Sequence, residues 1–298
     1  MSLVEQAIAR MRNQAAAANP KAAEAVLRPA AAPSPLPEPS LEPLKPSKRM
    51  TLDTMSLRAN GYLPEESKDR QFADHYRRVK RPLIERALAN AAGPMDGRVI
   101  MVTSALPGDG KTFTSINLAM SMALERDISV LLVDCDVAKR HVSEIVGLKH
   151  ENGLLNALSD DSIDVESLVV QTNLRGLSIL PAGKPVEATS ELLSSNRMRQ
   201  IMKTLFARHP RRILLMDSPP LLITNEGRAL VKMAGQVVLV VRAGHTSRHA
   251  VQDAVALFDE AQAGGIILNQ VAVSGGEGYY GYGSYGSYGE QDTDADAR

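Results

Sequence analysis

Between residues 98 and 273 the sequence alternates short apolar runs, rich in Val, Ile and Leu, with longer amphipathic stretches, and no other feature narrows the possible folds as far. The apolar runs cover residues 99–103, 130–133, 177–180, 213–216, 237–241 and 266–268. Helical spacing covers 112–125, 190–208 and 247–262, and a basic helical stretch, 68–92, comes before the first run. A strand that is apolar at every position is buried on both faces, and strands separated by helices pair in parallel through crossovers. The predicted fold class is therefore α/β: a doubly wound, mainly parallel sheet flanked by helices.

The flanking sequence differs in kind. Residues 29–46 include Pro29, Pro33, Pro35, Pro37, Pro39, Pro43 and Pro46. A stretch so poor in backbone donors and apolar side chains reads as an extended linker. Ahead of it Leu3, Val4, Ala7, Ile8 and Met11 recur at helical spacing, a pattern that fits a docking helix or a frayed, solvated one. Residues 275–289 read GGEGYYGYGSYGSYG and are followed by EQDTDADAR. Five of the seven tyrosines lie there: Tyr279, Tyr280, Tyr282, Tyr285 and Tyr288. Glycine at that density holds neither helix nor strand. The expected organisation is a flexible Ala/Pro-rich segment over 1–60, a folded domain over 61–273 and a disordered tail over 274–298.

Composition removes several classes of function. The 34 basic and 34 acidic side chains cancel, leaving no general electrostatic reason to bind nucleic acid or an acidic lipid surface. The single cysteine, Cys135, cannot form an internal disulfide, so a reducing cytoplasm is the expectation. No apolar run approaches the ~18 residues that span a bilayer, and the N-terminus lacks the apolar core of a secretory signal.

The first apolar run leads through Ser104-Ala-Leu-Pro-Gly-Asp-Gly-Lys-Thr112 into a helix. This resembles a Walker A loop, G-x-x-x-x-G-K-[ST], with Ala105 in place of the first glycine. Small residues let backbone N–H groups face phosphate oxygens, and the helix N-terminus adds positive potential. Lys111 would reach the β- and γ-phosphates, and the Thr112 hydroxyl would ligate Mg²⁺. Two later runs end in carboxylates: Val130-Leu-Leu-Val-Asp134-Cys-Asp136 and Ile213-Leu-Leu-Met-Asp217-Ser-Pro-Pro220. Ligands on open parallel sheets bind beyond the carboxyl ends of the strands, so all three elements can converge on one magnesium–nucleotide. Cys135, between two acids, reads as a small buried residue rather than a nucleophile.

These segments resemble the bacterial tyrosine kinases, within the P-loop class that also holds the Mrp, MinD and ParA ATPases. LLVDCDVAKR is similar to the family's A′ motif and LLMDSPP to its Walker B. GLLNAL (153–158), LSILPAGKPVEATSELLSS (177–195) and VVLVVRAGHTSR (237–248) also look like family segments. The tyrosine-rich tail separates this group from its relatives. So does Leu106, which stands where MinD and ParA ATPases carry an additional lysine. Relatives carry arginine soon after the second aspartate, whereas here Val137 and Ala138 precede Lys139 and Arg140. Asp74-His-Tyr-Arg77-Arg-Val-Lys80 resembles the E-x-x-R-x-x-R helix used for ring assembly. That implies an oligomer interface at Asp74, Arg77 and Lys80, although an ordinary solvated basic helix has the same pattern.

The resemblance implies an ATP-dependent protein-tyrosine autokinase. Lys111 and the loop residues Pro107, Gly108, Asp109, Gly110, Thr112 and Phe113 would hold the nucleotide. Thr112, Asp136 and Asp217 would place Mg²⁺, and Asp134 would accept or orient the proton of the incoming tyrosine. Asn269, at the end of the last run, would contact adenine. The tail tyrosines would be the phosphoacceptors, served between subunits of a homo-oligomer. The group most resembled stands beside exopolysaccharide systems. A membrane-embedded chain-length (co-polymerase) protein would then activate the kinase at the inner membrane, and a tyrosine phosphatase would oppose it. The competing expectation is a MinD/ParA-like ATPase switch that controls partner binding without tyrosine phosphorylation.

Overall fold

The computed structural model describes residues 48–89, 97–207 and 209–271. The proline-rich stretch, the helical pattern at residues 3–11 and the tyrosine tail lie outside the described residues. In chain order the elements are β1 (Arg49–Met50), α1 (Thr54–Ala59), α2 (Asp69–Ala89), β2 (Val99–Ser104), α3 (Lys111–Ala123), β3 (Ser129–Asp134), α4 (His141–Ile145) and α5 (Leu154–Ser159). There follow β4 (Val170–Thr172), β5 (Leu177–Leu180), α6 (Thr189–Ser194), α7 (Asn196–Ala207), β6 (Arg212–Asp217), α8 (Asn225–Val231), β7 (Gln236–Arg242), α9 (Arg248–Val255) and β8 (Ala263–Asn269).

The eight strands form one sheet in the order β1-β4-β5-β3-β6-β2-β7-β8. Every neighbouring pair is parallel except β4 and β5. The expected doubly wound, mainly parallel sheet is therefore present, with β1 and β4 running against the other six. Strands β2 and β6 are buried at every position, as continuous apolar runs require. Alternate residues feed two separate cores. Met101, Leu131, Val133, Leu214, Met216 and Leu239 meet α7 on one face. Ile100, Val102, Val130, Leu132, Ile213 and Leu215 meet α3 on the other.

Several boundaries differ from expectation. The flexible segment was expected to reach residue 60, but the chain is already folded at Arg49, where β1 pairs in parallel with β4. Leu52 and Leu57 are buried on the α3 face of the sheet. The Leu52 N–H donates to Asn173 Oδ1 (2.9 Å), and Asp53 caps α1. A two-residue strand has no periodicity to read, and its partner lies more than a hundred residues away. The helix expected over 190–208 is broken at Ser195, which is extended (ψ 164°). Its hydroxyl accepts from the Met198 N–H at 3.2 Å, so a side chain competing for backbone donors starts a new helix. The helix expected over 247–262 starts as predicted, with Ser247 as its cap, and gives way after Val255.

Candidate nucleotide site

The site lies at the carboxyl ends of β2, β3 and β6, three adjacent central strands. Parallel register sets Asp134 opposite Asp217, and Asp217 opposite Val102. The Cys135 N–H donates to the Asp217 carbonyl (2.8 Å), which extends the pairing past the strand ends. The three acids and the P-loop are thus brought together by sheet register.

The loop between β2 and α3 is shaped by two glycines, with φ of +89° at Gly108 and +96° at Gly110, a region that L side chains rarely adopt. Ala105 is buried in the core and does not have positive φ, so this loop needs no glycine at its first consensus position. Asp109 serves the loop differently from expectation. Its carboxylate is buried and accepts from Thr246 Oγ1 (2.6 Å) and the Leu106 N–H (3.2 Å). Asn269, expected on adenine, donates through Nδ2 to the Asp109 carbonyl at 2.9 Å. Pro107 and Gly108 are exposed. Phe113 turns away and meets Phe72 of α2 edge-on, with ring centroids 6.2 Å apart.

Lys111 is buried, with Nζ 3.0 Å from Asp136 Oδ2. The distance is that of an ion pair, but the oxygen lacks hydrogen-bond geometry to any donor; charge attraction governs the contact. Thr112 Oγ1 donates to Asp217 Oδ2 and Ser115 Oγ to Asp217 Oδ1, each at 2.9 Å. Asp134 is fully enclosed. The Ser143 N–H (2.8 Å) and hydroxyl (2.6 Å) both donate to its Oδ2, while its buried Oδ1 has no partner. Asp134, expected to accept or orient the proton of an incoming phenol, thus lies enclosed at the floor of the site with one oxygen open.

The charge balance is lopsided: three buried carboxylates face one lysine. Burial pushes the Asp134 carboxyl up to about 7, assisted by the charge of Asp217 and opposed by the Ser143 hydrogen bonds. Burial likewise pushes Asp217 up to about 6, against the pull of Lys111 and the two hydroxyl donors. Cys135 is wholly buried, and burial among these acids raises its thiol far above the usual range, as expected of a structural residue. Excess carboxylate and unpartnered oxygens fit a divalent cation brought with a polyphosphate. Among the described residues no three His, Cys, Asp or Glu side chains form a complete metal cluster. Mg²⁺ takes one or two carboxylates and completes its shell with phosphate and water.

Asp74, Arg77 and Lys80 are not equivalent. Asp74 and Arg77 are exposed and pair with each other at 2.8 Å. Lys80 is buried, donating to the Ser121 carbonyl (2.6 Å) and pairing with Glu125 (2.8 Å). The expectation that it meets a neighbouring subunit is corrected: it clamps α2 to the far end of the P-loop helix. Sequence reasoning also missed Ser115, Ser143 and Thr246. Ser115, one helical turn after Lys111, was detectable from i, i+4 spacing; the others have no local signal.

The AAA domain family (AAA_31) matches residues 97–269, which holds every element of this site. The chain is 30% identical over 175 residues to the tyrosine-protein kinase wzc of Salmonella typhimurium, covering 58% of this chain and 24% of that protein. It is 33% identical over 149 residues to the tyrosine-protein kinase YwqD of Bacillus subtilis, covering 50% and 61%. The chain thus spans about a quarter of wzc and under two thirds of YwqD. The crystal structure of the VpsO kinase domain aligns with 66% of this chain and 98% of its own, at 30% identity and a TM-score of 0.52. The relatives named here are tyrosine-protein kinases, and the chain itself belongs to the AAA domain family AAA_31.

Proposed function

We propose that the protein is an ATP-dependent tyrosine autokinase that phosphorylates the tyrosines of its own tail region, Tyr279 to Tyr288, between subunits. The observation that carries this reading is the convergence of Lys111, Thr112, Asp136 and Asp217 at the carboxyl ends of the central strands, the end of the sheet at which β8 also finishes. Asn269, the last residue of β8, touches the P-loop, so β8 ends beside the site. From Val271, Tyr279 is at most about 30 Å away and Tyr288 about 60 Å. A neighbour's site is within reach if subunits meet at the exposed part of α2.

Phosphoryl transfer is governed by positioning and charge neutralisation. Lys111 leaves Asp136 for the phosphate oxygens of ATP, and the loop N–H groups around Gly108 and Gly110 hold the rest. Thr112, Asp136 and Asp217 would hold Mg²⁺, which supplies charge neutralisation on the transferring phosphoryl group. Asp134 acts from the floor of the site, where Oδ1 can accept a proton released as the phenol oxygen bonds to the γ-phosphorus and ADP departs. Leu106, in place of the additional lysine of MinD and ParA, speaks against the switch reading.

Among the described residues no helix is long and apolar enough to cross a membrane. In this reading the protein is cytoplasmic, held at the inner membrane by a membrane-embedded polysaccharide co-polymerase that activates it. A tyrosine phosphatase reverses the reaction, and the cycle regulates exopolysaccharide export. Mixing Lys111→Ala protein, tail intact, with active protein ending at residue 271 tests the central claim. Phosphotyrosine on the Lys111→Ala tail establishes transfer between subunits. Phosphotyrosine in wild type but none in the mixture places transfer within one chain, and none in magnesium–ATP-loaded wild type with activator overturns the kinase reading.

A further inference from the structure

We propose that Ser143 is a positioning residue for phosphoryl transfer, acting through Asp134; the proposal rests on the kinase reading above. Ser143, in the short helix after β3, is almost wholly buried. Its hydroxyl accepts from the Ala182 N–H at 2.9 Å and donates to Asp134 Oδ2 at 2.6 Å. A hydroxyl has one proton, so the Ala182 contact from the other side leaves that proton directed at Asp134. The Ser143 N–H donates to the same oxygen at 2.8 Å.

Two donors on one oxygen saturate Oδ2 and fix the carboxylate's rotation. Oδ1, buried and unpartnered, is then the only acceptor that Asp134 can offer to an entering hydroxyl or water. Ala182 follows β5, so the hydroxyl also bridges the end of β3 to the loop beyond its neighbouring strand. A carboxylate free to rotate would share its two oxygens between the Ser143 N–H and the site. Misplacement of about 1 Å can cost ~100-fold in rate.

The experiment compares full-length wild type with Ser143→Ala and with Ser143→Cys, which keeps the volume but donates weakly. Each is also combined with Asp134→Asn. Initial rates of tail phosphotyrosine formation and the KM for ATP are measured, and amide exchange at Ala182 is followed in nucleotide-free protein. The expected result is a fall in kcat of about 10- to 100-fold with KM for ATP changed less than about twofold. No further fall is expected in the Asp134→Asn background, since residues acting as a unit are not additive. Exchange at Ala182 should quicken in both Ser143 variants and stay at the wild-type rate in Asp134→Asn. A kcat within about twofold of wild type, or a rise in KM that accounts for the whole loss, overturns the proposal and leaves the kinase reading standing. Wild type that forms no phosphotyrosine overturns both.

Discussion

Lys111 Nζ stands 3.0 Å from Asp136 Oδ2, so the P-loop lysine and a strand-end carboxylate neutralise each other inside the protein. Each is buried, and neither can lose its partner without leaving a bare charge. Nucleotide phosphates must therefore compete with Asp136 for the lysine, while the cation that accompanies them takes over the carboxylate.

Replacing Lys111 by Met should accordingly lower stability as well as activity. An uncompensated buried charge costs about 3 kcal/mol, readable as a lower urea midpoint in nucleotide-free protein at pH 8. Adding Asp136→Asn should restore most of that stability while nucleotide binding stays lost. Equal midpoints for Lys111→Met and wild type would show that the pair is not the structural unit described.

Asp134 and Asp217 carry raised pKa values of about 7 and about 6, against about 4 in an unfolded chain. Between these limits the folded state binds more protons than the unfolded one, so stability falls as pH rises. In EDTA the wild type should lose on the order of 4 kcal/mol between pH 5 and pH 8 through these groups. Asp134→Asn should flatten that dependence and raise the melting temperature at pH 8. A wild-type melting temperature that does not change over this range contradicts the buried-acid description.

The two P-loop glycines should respond unequally to alanine. At Gly110 a Cβ would stand 2.0 Å from Asn269 Nδ2, on a backbone at φ +96°. At Gly108, φ +89°, no atom lies within 4 Å of the added carbon. Gly108→Ala carries only backbone strain of about 1–2 kcal/mol, whereas Gly110→Ala also displaces Asn269 from Asp109. Titration with a fluorescent ATP analogue should show the larger affinity loss for Gly110→Ala; the reverse order would refute the loop geometry.

Lys80 and Arg77, three residues apart on α2, should separate stability from assembly. Lys80→Met removes a buried charge-assisted bond to the P-loop helix and should cost about 1.5–3 kcal/mol. Arg77→Glu breaks an exposed pair worth under about 1 kcal/mol, so the fold should persist while any assembly through this face weakens. Sedimentation velocity with parallel thermal melts distinguishes the two; a Lys80→Met protein as stable as wild type removes the clamp from consideration.

Most of the site's first contacts could be read along the chain. The P-loop lies between an apolar run and a helix, and a strand that is apolar throughout, then acidic at its end, delivers its carboxylate to the sheet's edge. These features depend on residues within a few positions of one another, so backbone geometry alone makes them legible. The boundary at residue 60 was not legible, because β1 has two residues and owes its place to pairing with β4.

What the chain could not show locally is how these groups are held. Asp109 and Thr246 are 137 positions apart and Asn269 lies 160 from Asp109, distances closed only when β2 and β8 flank β7. Lys80 sits in a pattern that predicts an exposed charge, yet α2 packs on α3 so that its ammonium is buried against Ser121. Sequence by itself determined which strands end in phosphate-binding or acidic groups, because short-range periodicity and loop conformation are local properties. Tertiary structure decided which of those groups are paired, enclosed or left with an open acceptor, because that depends on sheet register and helix packing between distant segments.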